Sequence, residues 1–227
     1  LAQSPMLIRR SVEQLGFRFT DIKILLISHA HFDHCAGSAL VKKLTHAKYM
    51  VMDADVRTVE SGGRDDFAFG KSPSMYYPRT TVDRILHDGD EVRLGGTVLT
   101  AHLTAGHTKG CTTWTLPVRD RGKTYNVVIV GSPNVLSEYK LVKNPEYPQI
   151  AQDFAKQFQT LRSLPCDVFL GAHGSYYGLA EKYARLKAGD ALAFVDPAGY
   201  QAYVSDHQRA FEDDLKKQQA AAGKVAR

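Results

Sequence analysis

Three imidazoles and one carboxylate fall within six residues at His29-Ala30-His31-Phe32-Asp33-His34. No packing role needs that density of metal-ligating side chains. His29 and His31 are spaced i, i+2, and Asp33 and His34 follow at once, so the chain must turn there. A strand end that becomes a loop aims alternating side chains at two different points. The spacing suggests two adjacent metal ions rather than one. Two further histidines share the context. His107 lies in Gly106-His107-Thr108-Lys109-Gly110 and His173 in Gly171-Ala172-His173-Gly174. Each follows a predicted strand, and the flanking glycines let neighbouring groups approach closely. Three strand-end loops that each offer His can converge on one sheet edge. Five His and one Asp then supply three protein ligands to each of two zinc sites, the number a catalytic zinc takes while keeping a position open for water. Zinc so held brings the pKa of bound water to about 7. Iron and manganese accept the same donors. His46, His87, His102 and His207 lack this loop context and read as surface or hydrogen-bonded structural residues.

The elements that must position these groups follow from local pattern. Ser4-Pro5 reads as an N-cap followed by a first-turn proline, with an apolar face at Leu7, Ile8, Val12 and Leu15 and a stop at Gly16. Ile22 to Ile27 is an apolar run of the kind a buried strand shows, and it delivers the cluster at its C-terminal end. Ala36 to Leu44 predicts a helix, Tyr49 to Met52 a strand, and Asp53 caps a helix to about Glu60. Ser61 to Pro78 is irregular, rich in Gly and Pro, and such loops often border sites. Its Phe67, Phe69, Tyr76 and Tyr77 read as core rather than binding groups.

Strands are predicted at Val82 to Leu86, Glu91 to Leu94 and Thr97 to Leu103, separated by Asp88-Gly89 and Gly95-Gly96 turns. Thr112 to Val118, Tyr125 to Val130 and Asp167 to Leu170 give three more. Ile150 to Leu164 predicts an amphipathic helix, and the C-terminal third reads as mostly helical, with a polar final helix after Pro197. The whole reads as one α/β domain with a mixed sheet over 1–227.

Composition narrows the class. Of 227 residues, 44% are hydrophobic and 23% charged, which is ordinary globular usage. No apolar run approaches the ~20 residues of a membrane span. The net charge of +5 comes without a Lys/Arg-rich block, so it reads as a solvated surface rather than a nucleic-acid face. Three cysteines, Cys35, Cys111 and Cys166, are too few for a disulfide framework and read as buried hydrophobes. Cys35, beside the cluster, is also a candidate for a modulating role.

At these residues the chain resembles the metallo-β-lactamase superfamily, whose signature is HxHxDH. Ile27 to His34, Leu103 to Thr108 with Gly110-Cys111-Thr112, and Gly131-Ser132 narrow the likeness to zinc β-lactamases of class B, subclass 3. The resemblance implies an αββα sandwich, here lacking its N-terminal strands. It implies one zinc on His29, His31 and His107 and a second on Asp33, His34 and His173. Ser132 stands where thioester hydrolases of the superfamily carry a bridging Asp and the first β-lactamase subclass a Cys. His34 must then ligate in its own right.

The implied reaction is hydrolysis of the β-lactam amide by a hydroxide bridging the two Zn2+ ions, with Asp33 as ligand and orienting group. Tyr139 is implied as an oxyanion donor, and Ser132 and Asn134 as contacts to the substrate carboxylate. Pro133 and Leu136-Ser137-Glu138-Tyr139 depart from the family's usual loop. Tyr200 stands where many relatives have the partner of Cys166, so no disulfide is expected. The resemblance further implies a monomer, periplasmic or secreted, acting on a small molecule and not on nucleic acid or membrane. The competing readings are a related hydrolase of another ester, lactone or thioester, and a zinc-binding but inactive truncated homologue.

Overall fold

The computed structural model describes residue 1 and residues 3–225. The chain divides into two compact units, one formed by Leu1–His87 with Thr108–Gly110, the other by Asp88–His107 with Cys111 onward.

The first unit runs α1 (Ser4–Gln14), β1 (Ile24–Leu26), α2 (Phe32–Cys35), α3 (Ser38–Thr45), β2 (Lys48–Met52), α4 (Asp53–Ser61) and β3 (Arg84–Leu86). Its three strands are parallel in the order β1-β2-β3, with Leu25 opposite Tyr49 and Val51 opposite Ile85. Parallel neighbours need crossover connections, and α3 and α4 lie in them. Ala30, Tyr49, Val51 and Val59 form the buried core, with Leu25, Ile27, Val56 and Val82 packed against it. Each such aliphatic side chain stabilises by roughly 1.5–3 kcal/mol when fully buried.

Three local expectations change. The first helix begins at Ser4 itself, with Gln3 at the N-cap, and Gly16 follows its end with φ 84°. The strand expected over Ile22 to Ile27 is only Ile24–Leu26 and half-buried, because β2 begins opposite Ile24 and β1 has one strand neighbour among the described residues. The helix expected over Ala36 to Leu44 is α3, which starts at Ser38 after Gly37, and a separate short helix, α2, precedes it. A Cβ at Gly37 would sit 3.1 Å from the Leu1 carbonyl and the Pro5 ring. Asp33 and His34 therefore lie on a helical turn rather than in a loop.

The second unit runs β4 (Glu91–Leu94), β5 (Thr97–Leu103), β6 (Thr112–Asp120), β7 (Lys123–Val130), α5 (Ile150–Ser163), β8 (Val168–Gly171), α6 (Leu179–Lys187) and α7 (Pro197–Val225). β4 to β7 form an antiparallel meander, and β8 joins parallel to β7 through the α5 crossover. β6 and β7 extend past their predicted ends to a tight turn at Arg121-Gly122, both at positive φ. The inner face of α5 buries Ile150, Phe154, Phe158 and Leu161. Phe154 and Phe158 pack on Phe211 of α7, with ring centroids 5.4 and 5.7 Å apart.

Candidate metal centre

In the first unit, the chain leaves β1, passes His29, presents His31 in extended backbone, and enters the single turn of α2 with Asp33 and His34. His29 and His31 are 1% and 6% exposed, His34 is half-buried, and Asp33 is exposed. One ligand atom each of His29, Asp33 and His34 lie within 4.8 Å of one another. Asp33 Oδ2 is 3.1 Å from His34 Nε2.

The imidazole nitrogens are sorted by their neighbours. Ser28 Oγ lies 3.1 Å from His29 Nδ1 and 3.4 Å from His34 Nδ1. Engaging Nδ1 presents Nε2 of each ring as the ligand atom. His31 is turned the other way. Its Nε2 faces Asp66 Oδ2 at 3.6 Å, which presents Nδ1. Burial alone would raise the Asp66 carboxyl. His31 and the Phe69 and Ala68 amides, the latter 2.7 and 2.8 Å from Oδ1, outweigh it and hold the group below the usual range. Phe69 packs edge-on with His31, ring centroids 5.4 Å apart, so the irregular loop does border the site. Tyr77 is core as expected, its hydroxyl donating to Ala30 O at 2.8 Å.

A second carboxylate holds the cluster from below. Asp55 is buried and accepts from Ala30 N at 2.9 Å, Thr108 Oγ1 at 2.7 Å and Gly110 N at 2.8 Å. Burial pushes its pKa up to about 6 against the pull of those hydrogen bonds. Gly110 is required here, since a Cβ would meet the Asp55 backbone N at 2.6 Å. The residue between His29 and His31 is thereby tied to the turn that directly follows His107. Cys35 packs in a small core cluster with Ala36 and Tyr77. It is buried, its S–H donates to His31 O at 3.0 Å, and burial pushes its pKa up to about 12. All three cysteines are free.

In the second unit, His107 Nδ1 lies 2.8 Å from the Asn134 carbonyl, which can only accept, so Nδ1 carries the proton and Nε2 the lone pair. His173 follows β8 and is exposed. Three expected substrate groups hydrogen-bond within the protein. Tyr139 is 2% exposed and its hydroxyl donates to His107 O at 2.6 Å, so it braces a ligand loop. Ser132 is 0% exposed, its Oγ paired with Tyr176 Oη at 3.1 Å and its carbonyl held by Gln157 Nε2 at 2.8 Å. Asn134 is half-buried and commits its Nδ2 to Tyr176 Oη at 2.7 Å. The supports at Asp55, Asp66, Gln157 and Tyr176 were not foreseen. The Asp65-Asp66 pair inside a site-bordering loop was the one signal available.

Outside this constellation, His102 Nε2 meets Thr115 Oγ1 at 2.8 Å and His207 Nδ1 donates to Tyr203 O at 2.8 Å, while His46 and His87 are exposed, as expected of structural or surface residues.

Fold and site together define an α/β protein with a histidine-rich metal-binding loop at a strand end. The chain belongs to the metallo-beta-lactamase superfamily, whose family model matches residues 3–173. Native FEZ-1 metallo-beta-lactamase from Legionella gormanii superposes with TM-score 0.95 at 52% identity, over 96% of this chain and 84% of that one. BJP-1, a subclass B3 metallo-beta-lactamase of Bradyrhizobium japonicum, gives TM-score 0.89 at 35% identity, over 98% and 83%. The class B3 di-zinc enzyme LRA-12 from an Alaskan soil metagenome gives 0.87 at 35%, over 94% and 80%. A probable metallo-hydrolase of Burkholderia pseudomallei is 30% identical over 113 residues, half of this chain and 36% of that protein. The fold is thus the metallo-β-lactamase fold.

Proposed function

We propose that this chain is a zinc-dependent β-lactamase that hydrolyses the amide bond of penicillins, cephalosporins and carbapenems. The observation that carries the reading is a set of histidines whose other ring nitrogens face Ser28, Asp66 and the Asn134 carbonyl, in a chain 52% identical over 96% of its length to a metallo-β-lactamase. His29, His31 and His107 are assigned to one zinc, and Asp33, His34 and His173 to a second. The donors fit, since imidazole and carboxylate are ligands zinc takes. When bound, zinc supplies Lewis acidity and brings the pKa of water to about 7.

The protein's own part is to hold the ligand atoms and steer a proton. Ser28, Asp66 and Asn134 fix the imidazoles in one orientation, so the ligating nitrogens present lone pairs. Asp33 is the acid within the six-residue run and is exposed, which suits it to orient the attacking water. Water adds to the lactam carbonyl, the C–N bond breaks, and the nitrogen leaves as an amine. With Ser132 buried and neither Asp nor Cys in its place, His34 is the third donor to the second zinc. With this reading go a monomeric state and a periplasmic or secreted location. Among the described residues no helix is long and apolar enough to cross a membrane.

The test is zinc content together with hydrolysis of a chromogenic cephalosporin, with and without chelator. Two zinc ions and turnover that chelator abolishes are expected. A folded protein that binds zinc without turning over β-lactams overturns the activity. Asp33→Asn should lose most activity and one zinc, and retention of both sinks its assigned role.

A further inference from the structure

Tyr176 belongs to neither ligand set, yet it contacts His173 itself and Asn134, whose carbonyl supports His107. After β8, residues Gly174–Tyr177 form a 3-10 turn, with Tyr176 N donating to His173 O at 3.1 Å. The turn folds the Tyr176 ring back beside His173, centroids 5.1 Å apart and edge-on. Gly171 makes room for it, because a Cβ there would meet Tyr176 Cδ2 at 2.9 Å. The Tyr176 ring also packs against Tyr203, with ring centroids 5.2 Å apart.

The phenol oxygen is equally committed. It accepts from Asn134 Nδ2 at 2.7 Å, so its own proton is available to Ser132 Oγ at 3.1 Å. Asn134 in turn takes the Nδ1 proton of His107 on its carbonyl. A single side chain therefore supports His173 through its ring and His107 through one intervening residue.

We propose that Tyr176 is a positioning residue that orients His107 through Asn134 and His173 through ring contact, giving two metal ligands one shared support. This rests on the zinc reading above. A side chain that fixes a ligand from behind is worth about 10–100-fold in metal affinity when removed.

The decisive measurement is zinc affinity by chelator competition, with the absorption spectrum of the cobalt(II)-substituted protein beside it. Tyr176→Phe keeps the ring and deletes the hydroxyl. Its zinc affinity should fall about tenfold, with shifted cobalt bands and a melting temperature near that of the wild type. Asn134→Ala cuts the same hydrogen bond from the other side and should give a similar loss. The double variant should be no worse than either single one, as coupled partners require. Wild-type affinity and an unchanged cobalt spectrum in Tyr176→Phe, or additive losses in the double variant, overturn the proposal. Failure of the wild type to bind zinc would instead overturn the metal reading beneath it.

Discussion

Asp55 and Thr108, 53 residues apart, share a 2.7 Å hydrogen bond in which the Thr108 hydroxyl donates to a fully enclosed carboxylate. The Thr108–Gly110 turn has no strand ladder of its own, so its position depends on side-chain acceptors. Asp55 provides them, receiving Thr108 Oγ1 and Gly110 N while also receiving Ala30 N from the histidine-rich loop. Its raised pKa shows the cost, since burial disfavours the charge that makes it a good acceptor. The fold tolerates an unfavourable buried charge where it ties the histidine-rich loop to the Thr108–Gly110 turn.

Asp55→Ala should therefore act on stability and metal binding together. It leaves three buried donors without their acceptor, each at roughly 1–3 kcal/mol. Partial relaxation around the small side chain brings the expected loss to about 3 kcal/mol in urea unfolding of the metal-free protein. Zinc affinity should fall in parallel. A variant of wild-type stability would show that the carboxylate does not hold the turn.

Asp66→Ala tests the support of His31 separately. The carboxylate organises its own loop through the Ala68 and Phe69 amides and faces His31 Nε2. Without it, His31 is free to swap tautomer and present the wrong nitrogen. The expected result is a loss of about 10–100-fold in affinity for one zinc, seen as a second, weaker phase in chelator titration. Equal affinity of both sites in the variant would contradict this orientation of His31.

Tyr139→Phe separates bracing from catalysis. An oxyanion donor is worth about 10²–10³ in kcat. A buried hydroxyl that donates to the His107 carbonyl contributes about 1 kcal/mol of stability and acts on turnover only through the ligand's position. The variant should lose about 1 kcal/mol in unfolding and less than about tenfold in kcat for a chromogenic cephalosporin. A loss of a hundredfold at unchanged stability would restore the oxyanion role.

The metal cluster was readable because six residues concentrated donors that packing does not need. The meander was readable because Gly95-Gly96 and the alternating runs around it permit little else. The turn at Asp33 and His34 was foreseen, but α2 was not, because four residues carry no apolar period to mark a helix. The supports were out of reach for another reason. Asp55, Asp66 and Tyr176 act through burial and through partners far along the chain, and neither is written in local pattern. Ser132 and Tyr139 were given substrate roles by family likeness, and their burial is not written in local pattern either.

Asp55 also sets a pH dependence whose sign can be worked out. Its folded-state pKa is about 6, against 3.8 for an exposed aspartate. Between those values the folded state holds a proton that the unfolded state has released, so folding stability falls as pH rises from about 4 to about 6 and then levels. Asp55→Asn cannot ionise and removes this contribution while keeping one carbonyl acceptor. Urea unfolding of the metal-free wild type and of Asp55→Asn, at pH 4.5 and at pH 7, isolates the effect. The wild type should lose more stability than the variant on going to pH 7. Equal losses would mean that the carboxyl titrates near its ordinary value, and that the three donors around it outweigh its burial.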